Sequence, residues 1–139
     1  MSFEDEFSEY QESLKISVRD LETEMSKQAS LYSRVVVLYA DLKALHDSAK
    51  MLMDDMKAKL DISYREELDA NGERVTDKKI ESLVLADKRF LEAKENYIEL
   101  GKWVAKFEGL LEAYRQRHYM LCEINRKTSV EMQMSLAHN

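Results

Sequence analysis

The residues best placed for chemistry are three lysines, Lys43, Lys50 and Lys57, which recur every seven residues. Seven residues turn an α-helix about 20° short of two full turns, so these lysines share one helix face, here called the basic stripe. Aromatic and soft side chains flank the stripe at three- and four-residue spacing; they are Tyr39, His46, Met53 and Tyr64. Such a surface suits single-stranded nucleic acid, because cations contact phosphates and rings stack on bases. An ordinary solvated flank, whose lysine stems cover apolar neighbours, would have the same pattern.

Patterns typical of catalysis or metal binding are missing from the sequence. The three histidines, His46, His118 and His138, lie far apart and no HExxH motif occurs, so we expect no metal site. The single cysteine, Cys122, excludes an internal disulfide, fits a reducing compartment and is expected to pack beside the apolar residues of its helix. Active sites are commonly built from loops, and this sequence predicts one loop, so we expect neither enzymatic activity nor a cofactor.

The composition indicates which elements position these residues. The chain has 139 residues, with no proline and 3 glycines. Average usage would give roughly 7 prolines and about 10 glycines. Sandwiches and barrels need frequent turns, and nucleotide-binding folds need glycine-rich loops, so both classes are excluded. With 35% charged and 45% hydrophobic residues, the composition is typical of long helices, and we predict an all-α protein with few of them.

The charge and the hydropathy pattern restrict partners and location. A net charge of −6 disfavours strong general binding of nucleic acid by a monomer, since affinity for phosphates comes mostly from lysine and arginine. No apolar run approaches the ~18 residues that indicate a membrane span, so we expect no membrane partner. The acidic start lacks the basic region of a signal peptide, and we expect a cytoplasmic protein.

A single strong break divides the chain just past its midpoint. The Asn-Gly dipeptide at 71–72 is typical of a turn, because both residues tolerate a positive φ. The apolar residues on either side predict a helical hairpin, with long helices over 28–68 and 76–127 around a loop at 69–75. Thr76 is placed to cap the second helix. The apolar residues of the first helix are Leu31, Val35, Leu38, Leu42, Leu45, Ala49, Leu52, Met56 and Leu60.

The two ends of the chain are predicted to be less regular. Residues 1–26 form a shorter amphipathic piece, whose acidic character makes it a candidate contact for protein partners. Residues 128–131 read Thr-Ser-Val-Glu, a capping box that predicts a restarted terminal helix, followed by a tail. By function we divide the chain into an N-terminal helical region, 1–75, with the basic stripe, and a C-terminal helical oligomerisation region, 76–139.

An apolar seam on the second long helix predicts self-association. This C-terminal seam consists of Tyr97, Leu100, Val104, Phe107, Leu111, Tyr114, His118 and Leu121, and it spans more than three heptads. Neighbouring apolar residues widen the surface beyond what one partner helix covers, so we expect a coiled-coil-like homo-oligomer. Aspartate at Phe107 or Leu111 should break it, because each would bury an unpaired charge.

His118 is expected as a buried or inter-subunit contact, and Gly101 and Gly109 would let another helix approach. A monomeric bundle that folds back on itself is the alternative.

Several segments, taken together, carry a resemblance to a known family. They are Ser30-Leu31-Tyr32-Ser33 before a basic residue, Lys57-Ala58-Lys59 before Leu60-Asp61, the run from Val84 to Lys88, and Gly101 and Gly109 before Arg117, Leu121 and Ile124. In order and spacing these segments resemble the UvsY family of recombination mediators of tailed bacteriophages. The resemblance runs from about residue 28 to residue 127, and the chain length agrees with it.

The resemblance implies a non-catalytic protein that forms a homo-oligomeric ring, a hexamer or heptamer, and binds single-stranded DNA. Such mediators weaken a single-strand-binding protein on the strand and promote loading of a RecA-like recombinase. The family's strand-binding motif falls on Lys57 and Lys59, and its assembly element falls on the C-terminal seam. If phage-encoded, the protein would act in the host cytoplasm.

The predicted DNA-binding residues are therefore Lys43, Lys50, Lys57, Lys59, Tyr64 and Arg65. The family has arginine where this chain has Lys59, so the charge is kept but the planar guanidinium contact is lost. It also has tyrosines directly after Leu-Asp, where this chain has Ile62 and Ser63, so Tyr64 is the substitute ring. Weak stripes repeated around a ring gain strength through effective concentration. A structural coiled-coil or adaptor protein without nucleic-acid binding is the alternative function.

Overall fold

The structure, a computed structural model, describes residues 2–138. Within that range the chain forms four α-helices and no strand: α1 (Phe3–Glu12), α2 (Leu21–Ala70), α3 (Asp77–Ala86) and α4 (Lys88–Ala137), with a 3-10 turn at Val18–Asp20. The predicted all-α fold with few long helices around a central loop is confirmed, and α2 and α4 each have 50 residues. None of the helices in the described range is long and apolar enough to cross a membrane.

The central turn follows from the Asn-Gly dipeptide, as the sequence predicts. Gly72 has a φ of +70°, a conformation that costs glycine little because it lacks a Cβ. The N–H of Gly72 donates to the carbonyl of Asp69 (3.1 Å), and the N–H of Glu73 donates to the carbonyl of Leu68 (2.9 Å). This pair of hydrogen bonds is a Schellman motif, which satisfies the last carbonyls of α2 and ends the helix.

The segment after the turn differs from the predicted single helix over 76–127. Thr76 caps α3 as expected, since its side-chain oxygen accepts from the N–H of Lys79 at 3.2 Å. However, Asp87 is extended (φ −67°, ψ 131°) and separates α3 from α4. Its carboxylate accepts from the N–H of Arg89 at 2.8 Å, so Asp87 is the N-cap of α4. The prediction of one uninterrupted helix is wrong because the side chain of this aspartate accepts from an N–H in the first turn of a new helix.

Both ends of the chain are more helical than the sequence indicates. Near the N-terminus, Ser2 and Asp5 form a capping box that starts α1, and its hydrogen bonds hold the pKa of the Asp5 carboxyl below its usual value. Near the C-terminus, the predicted restart at 128–131 is wrong, because the Thr128 hydroxyl donates to the carbonyl of Ile124 (3.0 Å) within an unbroken α4. The predicted tail is also helical, as far as Ala137.

The chain forms two compact units, and the first comprises residues 2–40 and 105–138. Its buried apolar residues are Val35, Phe107, Leu110, Leu111, Tyr114 and Leu121. The N-terminal segment belongs to this unit: Phe7 makes an edge-to-face contact with Phe107 at 5.8 Å, and the Tyr114 hydroxyl donates to the carbonyl of Tyr10 at 2.7 Å. Burial raises the pKa of Tyr114 to about 12.

A buried polar network also holds the first unit together. Arg117 is 3% exposed, and its guanidinium donates to the carbonyl of Leu14 (3.2 Å), to Oε1 of Gln28 (2.6 Å) and to the carboxylate of Glu24. The amide of Gln28 in turn donates to the carbonyl of Tyr114 at 2.8 Å. Each of the three guanidinium nitrogens of Arg117 is thus paired, which a buried charge requires.

The second unit comprises residues 41–104. Its core cluster consists of Leu60, Leu68, Ile80, Val84 and Phe90, with Met53, Met56, Tyr64, Val75 and Leu83 packed against it. Two apolar residues of the predicted α2 period, Leu45 and Leu52, are 49% and 65% exposed. The helix period alone therefore overestimates the width of the buried face of α2.

The two glycines of α4 are expected to respond differently to replacement by alanine. A Cβ on Gly109 meets no atom within 4 Å, so Gly109→Ala should stabilise the protein by about 0.5–1 kcal/mol through helix propensity. A Cβ on Gly101 lies 3.0 Å from Nε2 of His46, whose ring stacks on Tyr97 at 4.6 Å, so Gly101→Ala must displace that ring. Urea unfolding of the two variants tests this difference. Equal gains in stability would contradict it. In a His46→Ala background, Gly101→Ala should restore the missing gain relative to His46→Ala alone.

Candidate nucleic-acid interface

The basic stripe lies on the exposed surface of α2 in the second unit. Lys43, Lys50 and Lys57 are all exposed. Within residues 2–138, Lys50 and Lys57 enter no ion pair, so their ammonium groups are available to a ligand. The structure therefore brings these three predicted lysines together on one face, at the seven-residue spacing from which they were predicted.

Lys59 lies apart from the stripe, although only two residues separate it from Lys57. Two residues turn an α-helix by about 200°, which directs the two side chains to opposite sides of α2. Lys59 is exposed and pairs with Asp55 one turn earlier, at 2.8 Å, and this contact raises the pKa of Lys59. An exposed pair of this kind is worth roughly 0–1 kcal/mol, so a phosphate can replace the carboxylate at little cost.

Tyr64 takes part in the packing between α2 and the helices that follow. Its ring is half-buried against the core cluster, and its hydroxyl donates to Oδ2 of Asp87 at 2.5 Å. This hydrogen bond raises the pKa of Tyr64, because ionisation would place two negative charges together. Stacking of Tyr64 on a base would require the loss of these contacts.

Arg65 is likewise held by acidic neighbours. Its guanidinium donates to Asp61 one turn earlier at 2.7 Å and to Asp77, the first residue of α3, at 2.8 Å. These hydrogen bonds raise the pKa of Arg65. In this structure the side chain connects α2 to α3, so its predicted DNA contact would require exchange of one carboxylate for a phosphate.

Asp87 is a residue whose importance the sequence analysis missed. It caps α4, accepts from Tyr64 and binds the Arg89 guanidinium at 3.0 Å. The hydrogen bonds from Arg89 and Tyr64 hold the pKa of the Asp87 carboxyl well below its usual range. The available signal was an aspartate directly before basic residues in a helical segment, a position where an N-cap ends one helix and starts another.

Part of the C-terminal seam is buried within its own chain. Phe107, Leu111, Tyr114 and Leu121 are between 0% and 8% exposed in the first unit, whereas Tyr97, Leu100 and Val104 are half-buried in the second. Packing inside one subunit therefore accounts for much of the apolar pattern from which self-association was predicted. The role of these residues in assembly, and the functional division at residue 75, stay predictions.

Cys122 differs from its sequence expectation, whereas a contact of His118 with another subunit stays a prediction. Both are exposed, with Sγ of Cys122 3.8 Å from Nε2 of His118, so the prediction that Cys122 is packed is wrong. The buried polar residue of this helix turn is Arg117, one position earlier. Within residues 2–138, no group of three or more histidine, cysteine or acidic side chains is placed to hold a metal ion.

The last turns of α4 leave large apolar side chains exposed on two sides of the helix. After Ile124, every described residue is exposed. The large apolar side chains in this segment are Val130, Met132, Met134 and Leu136, with exposed fractions from 45% to 74%. Steps of two residues turn the helix by about 200°, so Val130 and Met134 lie on one side of α4, and Met132 and Leu136 lie on the other.

Comparison with solved structures finds a similar fold in a phage recombination mediator. That protein is UvsY of bacteriophage T4, whose crystal structure matches with a TM-score of 0.76 over 94% of this chain and 99% of the UvsY chain. The sequence identity is 22%. No family model and no curated protein sequence matches the chain. The predicted likeness to UvsY is thus confirmed for the fold.

Proposed function

We propose that this chain is a recombination mediator that binds single-stranded DNA as a homo-oligomer and acts without catalysis. In this role it weakens a single-strand-binding protein on the strand and promotes loading of a RecA-like recombinase. The observation that carries the proposal is the likeness to UvsY, which extends over nearly the whole of both chains. Because fold alone does not determine function, the surface features below are the second support.

The exposed lysines of α2 support the strand-binding part of the proposal. Lys43, Lys50 and Lys57 offer a row of cations about 10.5 Å apart along the helix axis. Such a row follows a phosphate backbone, and its modest charge in each subunit allows the strand to be released again. In an oligomer, a strand that contacts several stripes binds far more tightly than it binds one.

Exposed apolar side chains support the oligomeric part of the proposal. They occur on α2, at Leu45 and Leu52, and on the last turns of α4, at Met132, Met134 and Leu136. Burying such side chains between copies would contribute roughly 25 cal/mol for each Å² removed from water. We propose that subunits associate through surfaces of this kind, in addition to any exposed part of the C-terminal seam.

The strand-binding residues are tested by Lys57→Ala combined with Lys59→Ala. Each lost phosphate contact lowers the salt slope of binding to a single strand by about 0.7, so the double variant should lose about 1.4. Fluorescence anisotropy with a labelled oligonucleotide at several salt concentrations measures the slope. A matched control is Lys94→Ala with Lys102→Ala, which removes two exposed lysines of α4. The control should keep the salt slope of the parent protein, and both double variants should keep its oligomer mass.

Unchanged binding by the Lys57 and Lys59 double variant would remove the assigned site. Absence of saturable binding by the parent protein, at low and at moderate salt, would instead favour the structural or adaptor function. The loading activity is tested separately, with a RecA-like recombinase and an oligonucleotide covered by single-strand-binding protein. The mediator should increase recombinase assembly on that covered strand, and equal assembly with and without the protein would contradict this part of the proposal.

A further inference from the structure

A second basic site, separate from the stripe, lies in the first unit. A cleft of about 420 Å³ is lined by the N-terminal segment, by the first turns of α2 and by α4. Its cationic residues are Lys15, Lys27, Arg34 and Arg117, and its acidic residue is Glu24. Four cations to one carboxylate is an unusual ratio in a chain with a net charge of −6.

Two of the four cations are already neutralised by neighbours. The buried Arg117 binds Glu24, and Lys15 pairs with Glu12 at 2.7 Å. Lys27 and Arg34 are exposed and enter no ion pair within residues 2–138. These two side chains therefore give the cleft its excess positive charge.

The positions of the unpaired cations on α2 determine the shape of ligand that fits. Lys27, Ser30 and Arg34 follow the i, i+3, i+7 pattern, so they share one helix face, with the Ser30 hydroxyl between the two charges. Seven residues separate the backbone positions of Lys27 and Arg34 by about 10.5 Å. An extended polyanion contacts both cations along this distance better than one compact phosphate does.

We propose that this cleft binds the phosphate backbone of single-stranded nucleic acid, as a second contact in addition to the basic stripe. Lys27 and Arg34 each contact a phosphate, and Ser30 donates a hydrogen bond to a phosphate oxygen between them. The network of Arg117, Glu24 and Gln28 keeps the wall of the cleft in place, which limits the ordering required on binding. This inference rests on the proposed strand-binding function.

The test is Lys27→Ala combined with Arg34→Ala in the full-length protein. Both side chains are exposed and unpaired, so thermal unfolding should be unchanged. Loss of two phosphate contacts should lower the salt slope of binding to a labelled oligonucleotide by about 1.4. Raising the salt from 50 to 200 mM should therefore weaken the variant's binding by a factor about sevenfold smaller than for the parent protein. The matched control is Arg74→Ala with Lys78→Ala. It removes an exposed arginine and an exposed lysine of the second unit that enter no ion pair within residues 2–138, and it should leave the salt slope as in the parent protein.

The outcomes separate this inference from the proposed function. If the parent protein and the control bind the oligonucleotide with the same slope as the Lys27 and Arg34 variant, the cleft contact is wrong and the stripe is unaffected. If the parent protein does not bind the oligonucleotide, the proposed function and the inference both fail. Titration of the parent and the variant with inorganic phosphate alone distinguishes the two sources of phosphate. Saturable binding of the free ion that only the variant loses, together with equal salt slopes of the two proteins for the oligonucleotide, would show a site for the free ion and overturn the strand contact.

Discussion

Replacing Arg117 with alanine is expected to lower the free energy of unfolding by about 3–5 kcal/mol. The guanidinium is almost fully buried and donates to Glu24, Gln28 and the carbonyl of Leu14. Its removal leaves the Glu24 carboxylate, only 14% exposed, without a counter-charge, and leaves two further acceptors without their donor. A buried charge that loses its partner is among the costliest single changes in a protein. Urea unfolding at a fixed protein concentration measures the effect.

A matched control for Arg117 lies on the same helix. Arg126 pairs with Glu123 at 2.6 Å, but the two side chains are 68% and 51% exposed. Arg126→Ala should therefore change the free energy of unfolding by no more than about 1 kcal/mol. A second variant, Arg117→Met with Glu24→Met, removes both buried charges and should recover part of the loss. Equal effects of Arg117→Ala and Arg126→Ala would show that the buried network does not hold the N-terminal segment.

Replacing Phe107 with aspartate is expected to unfold the first unit, and assembly should be lost as a consequence. Phe107 is fully buried and contacts Phe7 edge to face. Truncation of a buried phenylalanine alone costs about 3–5 kcal/mol, and the buried carboxylate adds to that cost. Far-ultraviolet circular dichroism should show a loss of helix, and sedimentation should show loss of the oligomer.

The control for Phe107 is an aspartate on the exposed part of the same helix. Leu136 is 74% exposed, so Leu136→Asp should keep the helix content of the parent protein. Any change in its sedimentation then reports on contacts between subunits. A Phe107→Asp protein that keeps full helix content but sediments as a monomer would contradict our account, because it would place Phe107 in the interface between subunits.

Much of the fold is predictable from the sequence because the chain has few residues that end helices. Without proline, the Asn-Gly dipeptide at 71–72 is the strongest turn signal, and it does end α2. The break at Asp87 was missed because an aspartate inside a helical pattern is also compatible with a solvent-facing position. The continuous helix at 128–131 was missed because a capping box has the same residues as an ordinary helix turn.

The candidate sites are less predictable because they depend on contacts between distant segments. The spacing of Lys43, Lys50 and Lys57 reveals their common face, since that face is a local property of one helix. The cleft with Lys27 and Arg34 also needs the N-terminal segment and α4, which spacing along α2 does not reveal. The same limit applies to Arg117, whose burial depends on partners 93 and 89 residues away in the sequence.

The central claim is that several copies of this acidic chain assemble and together bind an unpaired strand. Molar mass in solution, measured by light scattering with and without a short single-stranded oligonucleotide, tests both parts at once. We expect a mass several times the 16.3 kDa of one chain, and this mass should increase by at least the mass of one oligonucleotide when the strand is added. A mass of one chain, unchanged by the oligonucleotide at low salt, would contradict it.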